Sequence, residues 1–191
     1  PGIPRAPARE GAIPQRVRLF LRVFFMYYTG MDIITLGNGL LRQKAEPVRP
    51  IGAEYRGIAQ EMIEALHEGK GVGLAGPQVG LMKRIFVVHI ERDVPRVFIN
   101  PTITMTSQDQ VKCEEGCLSI PGIYAEVIRP ESIQVQAWNE RGRPFTLDAA
   151  GILARVILHE YDHLEGVLFI DRLSEPKRNK IIAKWEKRKK A

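Results

Sequence analysis

The chain has 191 residues, 45% of them hydrophobic, which is enough to form one globular domain with a buried core. Its formal net charge is +6, and its two cysteines are too few for a disulfide-stabilised secreted scaffold, which favours a reducing compartment. Its apolar runs all stay short of the roughly 20 residues that a membrane helix needs, so we expect no membrane partner.

Residues 1–30 differ in composition from the rest of the chain. They carry five Arg against one Glu, and they end immediately before Met31. They can be sequence upstream of a natural start at Met31, an Arg-rich targeting segment, or an ordinary extension. We favour a dispensable leader over residues 1–30, followed by a single domain over residues 31–191.

The first part of this domain predicts one helix and several strands. Ala53 to His67 places its apolar residues on one helical stripe, and Gly69 can end that helix. Gly69 to Gly80 then interrupts all periodicity with five glycines and a proline. Strand-like runs follow at four places: residues 84–90, residues 95–106 as an extended pair interrupted at Pro101, residues 131–139, and residues 144–147.

The next predicted helix carries two of the chain's four histidines. Asp148 can cap its start, and Gly166 stands where a C-terminal glycine is expected. Because the histidines continue an apolar stripe, they should face the core. The stripe consists of Ile152, Val156, His159 and His163.

The end of the chain predicts a short apolar strand, VLFID over residues 167–171, and a basic helix over residues 174–190 with Pro176 in its first turn. Strands and helices follow one another in no regular alternation. The predicted fold class is therefore α+β, with antiparallel sheets packed around the histidine-bearing helix, rather than a parallel βαβ fold.

The segment ILHEYDHLEG, residues 157–166, has the pattern of a metal site with its own base. Histidines four apart lie on one face of a helix, so His159 and His163 can both reach one ion. Glu160 lies one residue further round, where it can take a proton from a water molecule at that ion. The alternative is a surface helix with two exposed histidines, which the apolar stripe disfavours.

A catalytic metal site needs a third protein ligand and one position for water. The sequence leaves the third ligand open among Asp162, Glu165, Asp171, His89 and Cys117. Cys117 lies in EGCLS, between extended segments, and a thiolate is a strong ligand for iron or zinc. From spacing alone, Cys117 is equally well explained as a small buried residue.

Three separated motifs together resemble those of peptide deformylases. Residues 71–78, GVGLAGPQ, are similar to the family's glycine loop, residues 115–119, EGCLS, to its second motif, and residues 159–163, HEYDH, to its third. The three occur in the family's order, and the resemblance extends from Met31 to about Lys184. The longer string EGCLSIPGIYAEVIRP resembles deformylases of the first type, which bacteria share with organelles.

The resemblance implies a hydrolase that removes the formyl group from the N-terminal formylmethionine of nascent polypeptides and releases formate. It implies one divalent ion, natively Fe(II) with Ni, Co or Zn as possible occupants, held by Cys117, His159 and His163. Glu160 would act as general base and then as acid. Gln78 and the backbone N–H of Leu118 would hold the oxyanion.

The resemblance also implies a pocket for the methionine side chain. Gly73 matches a backbone contact to the formyl group or the peptide. Tyr124 stands where many bacterial members have Arg, and it can either close over the substrate or be a packed surface aromatic. The pocket lining would consist of Val72, Cys113, Glu115, Ile152, Val156 and His159.

Two other interpretations start from the same residues. HEYDH also suits a peptidase of the zincin type, although no histidine follows it as a third ligand. A non-catalytic protein could instead hold a structural metal and bind RNA with its basic tail. The glycine loop lacks the Lys–Ser/Thr pair of a phosphate loop, so we expect no nucleotide cofactor.

The predicted basic helix suggests a larger partner. Residues 177–191 carry eight Lys or Arg against one Glu. They can dock on ribosomal RNA through phosphate contacts, or they can be a solvated face of a helix packed by its apolar side. We expect a monomer, with a dimer as the alternative, in the bacterial cytoplasm, or in an organelle if residues 1–30 are a targeting segment.

Overall fold

The computed structural model describes residues 31–189, so the predicted leader over residues 1–30 and the last two residues lie outside the described part. Within it the chain forms three α-helices and seven strands. The helices are α1 (Glu54–Glu68), α2 (Gly151–Leu164) and α3 (Glu175–Lys189). The strands are β1 (Gly73–Ala75), β2 (Ile85–Val88), β3 (Arg96–Thr106), β4 (Gln110–Gly116), β5 (Tyr124–Pro130), β6 (Ser132–Trp138) and β7 (Pro144–Ala150). No helix in this range is long and apolar enough to cross a membrane.

The strands form two antiparallel sheets. Five of them make one sheet in the spatial order β1-β2-β3-β6-β7, and β4 and β5 make a separate two-stranded hairpin. The helices interrupt the strands without regular alternation. The predicted α+β class, with antiparallel sheets and a C-terminal helix, is therefore confirmed.

Strand β2 is apolar along its whole length because both of its faces are covered. Ile85 and Val87 belong to the core cluster that contains the buried face of α1, whereas Phe86 and Val88 belong to the cluster that contains α2. All four side chains are buried. Because successive side chains of a strand point to opposite faces, α1 and α2 cover opposite faces of this sheet.

A third core cluster lies beneath α3. Trp185 anchors the helix there, since its indole Nε1 donates to the carbonyl oxygen of Leu36 at 2.9 Å. Cys117 packs against the edge of the same cluster. The C-terminal helix therefore supports the segment that follows β4. The cluster consists of Leu36, Leu41, Ile120, Ile123, Val127, Leu168, Phe169, Ile170 and Trp185.

The start of α2 differs from the prediction, whereas its end agrees. Ala150 precedes the helix, and Asp148 is a residue of β7 whose carboxylate accepts a hydrogen bond from Gln134 Nε2 at 2.9 Å. Asp148 as N-cap was wrong because β7 stays paired with β6 as far as Ala150. Gly166 follows the helix with a φ of 73°, the left-handed conformation that makes glycine the usual residue after a helix.

The prediction of an extended pair over residues 95–106 was wrong, because this segment is the single strand β3. Its register against β6 shifts between Ile99 and Thr102. That irregularity contains Pro101, which has no N–H to give to the ladder. A bulge accommodates such a residue without ending the strand.

The predicted strand over residues 167–171 was also wrong. Phe169–Arg172 is a 3₁₀ turn, and the Asp171 carboxylate stabilises its start by accepting a hydrogen bond from the Leu168 N–H at 2.8 Å. Leu168, Phe169 and Ile170 of VLFID are buried in the cluster beneath α3. The apolar composition of this segment therefore indicated burial correctly, whereas local hydrogen bonding determined that its backbone forms a 3₁₀ turn.

Candidate active site

Helix α2 directs three polar side chains into the interior. His159, Glu160 and His163 are 8%, 3% and 1% exposed. The two imidazole rings pack edge to face with their centroids 5.1 Å apart. The prediction that both histidines face the core is confirmed, and their four-residue spacing places the rings side by side.

The turn after β4 brings Cys117 to the histidines. Ile120 N–H donates to the carbonyl oxygen of Cys117 at 2.9 Å, which closes the turn. Cys117 Sγ then lies 3.3 Å from His163 Nε2. Among the His, Cys, Asp and Glu side chains of residues 31–189, Cys117, His159 and His163 are the one group of three that could hold a metal ion, and their possible ligand atoms all lie within 4.8 Å of one another.

The other four candidates for a third ligand are engaged elsewhere. Asp162 pairs with Arg129 and Arg172, and Asp171 pairs with Arg42. The remaining two are Glu165, which pairs with Lys44 and Arg84, and His89, whose Nδ1 lies 2.6 Å from His67 Nε2. Of the five candidates, Cys117 is the one that the fold places beside both histidines.

The three side chains fit a divalent transition metal ion. A thiolate and two imidazoles are ligands that Fe, Ni, Co and Zn bind well. Glu115 Oε2 lies 2.9 Å from Nδ1 of His159, which leaves Nε2 of that ring for the cluster. Burial opposes protonation of His159, but hydrogen bonds with Cys117 and Glu115 raise its pKa to about 10.

Glu160 packs against the backbone of strand β1. A Cβ atom at Gly73 would lie only 2.3 Å from Glu160 Oε1. Burial raises the pKa of Glu160 to about 7. Its Oε2 is buried and has no hydrogen-bond partner among the described residues. A buried carboxyl group of this kind, next to three candidate metal ligands, is suited to accept a proton and return it.

The glycine loop holds the Gln78 amide in one orientation. It forms β1 and then the 3₁₀ turn Gly76–Val79. Ala75 N–H donates to Gln78 Oε1 at 2.8 Å, so the amide nitrogen points the other way. That nitrogen lies 3.4 Å from Cys117 Sγ and 3.2 Å from Ser119 Oγ. The neutral donor of Gln78 therefore faces the metal-ligand cluster.

Gln78, Cys117, His159 and Glu160 line the wall of one cavity of about 430 Å³. His163 is buried next to Cys117 and does not reach the cavity surface. The sequence-predicted residues that line the cavity are Val72, Gly73, Gln78, Glu115, Cys117, Leu118, Tyr124, Ile152, Val156, His159 and Glu160.

Cys113, by contrast, does not line this cavity. It is exposed, and its thiol lies 3.7 Å from the carbonyl oxygen of the next residue. Because side chains alternate along a strand, Cys113 lies on the same face of β4 as Glu115. It is two residues further from the turn that carries Cys117. The hairpin therefore carries Cys113 beyond the cavity, and its position does not support a pocket role.

Tyr124 lies at the mouth of the cavity with 65% of its surface exposed. Its ring covers the backbone of Gly116, where a Cβ atom would meet the ring at 2.6 Å. Gly116 and Tyr124 face each other across the β4–β5 hairpin. The ring is therefore located over the hairpin end that leads to Cys117.

A buried charged network that was not predicted from the sequence lies behind the histidines. Arg129 on β5 pairs with Glu115 and with Asp162, and Arg155 on α2 also pairs with Glu115. Burial opposes ionisation of Glu115, but hydrogen bonds with His159 and Arg129 outweigh it and lower its pKa to about 2. The available signal was the alternation of β5, which places Arg129 on the same face as the buried Val127.

Comparisons with known proteins agree on one family. The family model described as polypeptide deformylase matches residues 31–179. The peptide deformylase of Treponema pallidum (strain Nichols) is 46% identical over 155 residues, which are 81% of this chain and 95% of that protein.

Solved structures show the same similarity. A peptide deformylase from Synechococcus elongatus, solved in complex with actinonin, is 43% identical with a TM-score of 0.78, over 84% of this chain and 88% of that one. A plant peptide deformylase is 34% identical with a TM-score of 0.80, over 86% of this chain and 91% of that one. The similarity therefore covers the part of the chain that contains the cavity.

Proposed function

Since the chain belongs to the peptide deformylase family, it is a metal-dependent hydrolase that removes the formyl group from N-terminal formylmethionine, and we propose that Glu160, Gln78 and Leu118 carry out this reaction. The products are formate and a peptide with a free amino terminus. Neither a zincin peptidase nor a non-catalytic metal protein, the two alternatives from the sequence, performs the reaction of this family.

One observation carries the assignment of residues. The donor atoms of Cys117, His159 and His163 converge within 4.8 Å. Glu160 and Gln78 line the same cavity as Cys117 and His159. A base, a neutral donor and a cation-binding cluster are the parts that hydrolysis of an unactivated amide needs.

Each of these groups has a separate task in the reaction. Cys117, His159 and His163 would hold a divalent ion, which would act as a Lewis acid and lower the pKa of a water molecule. Glu160 removes the proton from the water as it attacks the formyl carbon, and returns it to the departing amine. Gln78 Nε2 and the Leu118 N–H donate to the carbonyl oxygen as it becomes negative. Because Gln78 is neutral, it stabilises this oxygen without repelling the substrate.

The decisive test concerns Glu160. The variant Glu160→Gln keeps the size of the side chain but cannot take a proton, so formate release from formyl-Met-Ala should fall on the order of a hundredfold or more. Bound metal, measured by elemental analysis, should stay at one ion per chain. Full activity in Glu160→Gln would remove Glu160 from its role as base.

Fe(II) is the proposed native ion, with Ni, Co or Zn able to occupy the same ligands. A thiolate with two imidazoles does not discriminate sharply among these ions, so the metal has to be measured. Purification without oxygen should yield iron, and activity should then decline in air as iron oxidises. Activity that is stable in air, with Ni or Zn in the protein, would contradict an iron enzyme.

The pocket for the methionine side chain is proposed to lie in the apolar part of the cavity. Val72, Ile152 and Val156 line it beside Gly73 and His159, and Val72 and Ile152 are 47% and 57% exposed. Exposed apolar side chains at a cavity mouth are suited to cover an apolar ligand. Tyr124 is proposed to close over the bound peptide, so Tyr124→Ala should raise KM for formyl-Met peptides more than it lowers kcat.

The basic helix α3 is proposed to bind ribosomal RNA. Its apolar side holds Trp185 in the core, whereas Lys180, Lys184 and Lys187 are exposed. Replacing these three lysines by Gln should weaken co-sedimentation with ribosomes, and the loss should be largest at low salt.

The matched control for this test removes the same charge elsewhere. Arg56, Arg92 and Arg141 are also exposed and lie outside α3. Their replacement by Gln should leave co-sedimentation nearly unchanged. An equal loss in both triple variants would show that net charge alone, rather than α3, governs the association.

We further propose a monomer in the bacterial cytoplasm, acting on nascent chains without a nucleotide cofactor, with residues 31–191 as its single catalytic domain. Light scattering should give the mass of one chain. The chain shortened to residues 31–191 should keep full deformylase activity, and a large loss of activity would give residues 1–30 a functional role.

A further inference from the structure

The candidate metal ligands come from two units that no backbone ladder joins. Cys117 follows the β4–β5 hairpin, which forms a sheet of its own, whereas His159 and His163 lie on α2. The distance from Cys117 to the histidines therefore depends on side chains that connect the hairpin to the helix, in addition to the core cluster beneath α3.

Arg129 makes one of these connections from the hairpin side. It lies on β5, and its side chain is 4% exposed. Its Nε and Nη2 donate to the two oxygens of Glu115 at 2.6 and 2.9 Å, and its Nη1 donates to Asp162 Oδ2 at 2.8 Å. One guanidinium thus engages an acid of the hairpin and an acid of the helix together.

Both acids are adjacent to candidate ligands. Glu115 lies two residues before Cys117, and its Oε2 contacts His159 Nδ1 at 2.9 Å. Asp162 immediately precedes His163 on α2. A displacement of Arg129 would therefore shift the partner of one imidazole and the backbone that carries the other.

Arg155 supports the same connection from the helix side. Its Nη1 donates to Glu115 Oε1 at 2.8 Å and to the Val127 carbonyl oxygen at 3.0 Å, and its Nη2 donates to the Val111 carbonyl oxygen at 2.6 Å. These bonds attach α2 to both strands of the hairpin. They do not reach Asp162, so Arg129 alone joins the two acids among the described residues.

We propose that Arg129 is a positioning residue that holds the Cys117-bearing hairpin and helix α2 at the separation required to bind the metal ion. The inference rests on the proposed ligands Cys117, His159 and His163. The fork of a guanidinium is essential to this role, because a lysine ammonium is a point charge that cannot engage both acids in the same geometry.

The test compares metal retention in the wild type and in Arg129→Lys. Both proteins are loaded with Co(II), and the loss of the ion to excess chelator is followed by absorption. Changing a group that directly contacts a metal ligand, as Glu115 contacts His159, typically costs roughly 10- to 100-fold in metal affinity, and Arg129 holds that group in place. We expect the dissociation rate in Arg129→Lys to rise by a comparable factor, with a shift of the thiolate-to-cobalt absorption band.

Arg172→Lys is the matched control. Arg172 also pairs with Asp162, but it is 48% exposed and makes no contact with Glu115. This variant makes the same Arg-to-Lys change at a second partner of Asp162. It leaves the bonds of Arg129 to Glu115 and Asp162 in place. Its cobalt spectrum and dissociation rate should match those of the wild type.

A second variant guards against failure of Arg129→Lys to fold. Asp162→Asn keeps Arg129 paired with Glu115 and weakens its bond to the helix, together with the bonds from Arg172, whose separate effect the Arg172→Lys control measures. It should show a smaller change in the same direction, measured on protein whose far-ultraviolet circular dichroism is that of the wild type.

The outcomes separate this inference from the proposed function. If wild-type protein takes up no stoichiometric ion, the proposed ligands themselves fail. If the wild type binds one ion and Arg129→Lys retains it with the same spectrum and dissociation rate, the inference is overturned and the function stands. A lower melting temperature without a change in spectrum would also overturn it, because Arg129 would then be only a stabilising residue.

Discussion

At the scale of single residues, the site depends on a position where no side chain fits. Gly73 is adjacent to the Glu160 carboxylate, and an added Cβ would overlap Oε1 at 2.3 Å and Cγ at 2.8 Å. The glycine of the loop is therefore required by the packing of the proposed base. Its backbone also lines the cavity, where the substrate would approach.

We expect Gly73→Ala to displace Glu160 and to lower kcat/KM on the order of a hundredfold, since a misplaced catalytic group costs about that factor. The matched control is Gly57→Ala in α1, where an added Cβ meets nothing within 4 Å. That variant should keep full activity and raise the free energy of unfolding by about 0.5–1 kcal/mol, because alanine is the better helix former. Activity of Gly73→Ala near that of Gly57→Ala would show that Glu160 can move without loss.

The orientation of Gln78 leads to a second prediction at this scale. Its Oε1 accepts from Ala75 N–H, so Gln78→Glu preserves that bond but replaces the donating nitrogen near Cys117 with a charged oxygen. Loss of one oxyanion donor typically costs 10²–10³ in kcat, and the added negative charge should increase the loss. Steady-state kinetics should show the effect mainly in kcat. A change confined to KM would instead assign Gln78 to substrate binding.

At the scale of elements, β3 continues through its bulge because Asn100 supports the backbone there. Asn100 has a φ of 50°, and its side chain bonds the N–H of Val48 at 2.8 Å and the carbonyl oxygen of Val48 at 3.0 Å. Asparagine tolerates the left-handed conformation better than most residues, and here it also attaches the preceding segment to the sheet.

Asn100→Ala should therefore lower the free energy of unfolding by about 2–4 kcal/mol, the sum of a left-handed backbone penalty and two lost hydrogen bonds. Asn100→Gly loses the same bonds without that penalty, so it should be the milder variant in urea denaturation. If the two variants lost the same free energy of unfolding, the left-handed backbone conformation at residue 100 would contribute nothing to the stability difference between asparagine and alanine.

The elements that the sequence predicted correctly have either a periodic apolar pattern, as α2 does, or a short continuous apolar run, as β2 does. The stripe of α2 indicated both its helical state and the burial of His159 and His163, and spacing alone then suggested a metal. The errors have a different origin. Asp148 is a good cap by composition, but cross-strand pairing decided its role, and the separation of Arg129 from Asp162 in the chain hid their contact. Long-range pairing of this kind leaves no local pattern.

At the scale of the whole molecule, the three motifs meet because three core clusters hold their elements. The glycine loop precedes β2, which packs on α1 and α2 through opposite faces. The turn of Cys117 rests on the third cluster, which α3 closes with Trp185. The C-terminal helix is therefore expected to be part of the cooperative fold, in addition to its proposed role in binding ribosomes.

This expectation can be tested at Trp185, which is 9% exposed and bonds the Leu36 carbonyl oxygen. Trp185→Ala should lower the free energy of unfolding by about 3–5 kcal/mol, as removal of a large buried aromatic usually does. Trp185→Phe keeps an aromatic ring and loses the hydrogen bond, so its cost should be smaller. Urea unfolding should remain a single transition by circular dichroism and by loss of bound metal. If Trp185→Ala lost the helical signal of α3 first, with metal still bound, α3 would be an independent appendage, and Cys117 would not depend on it.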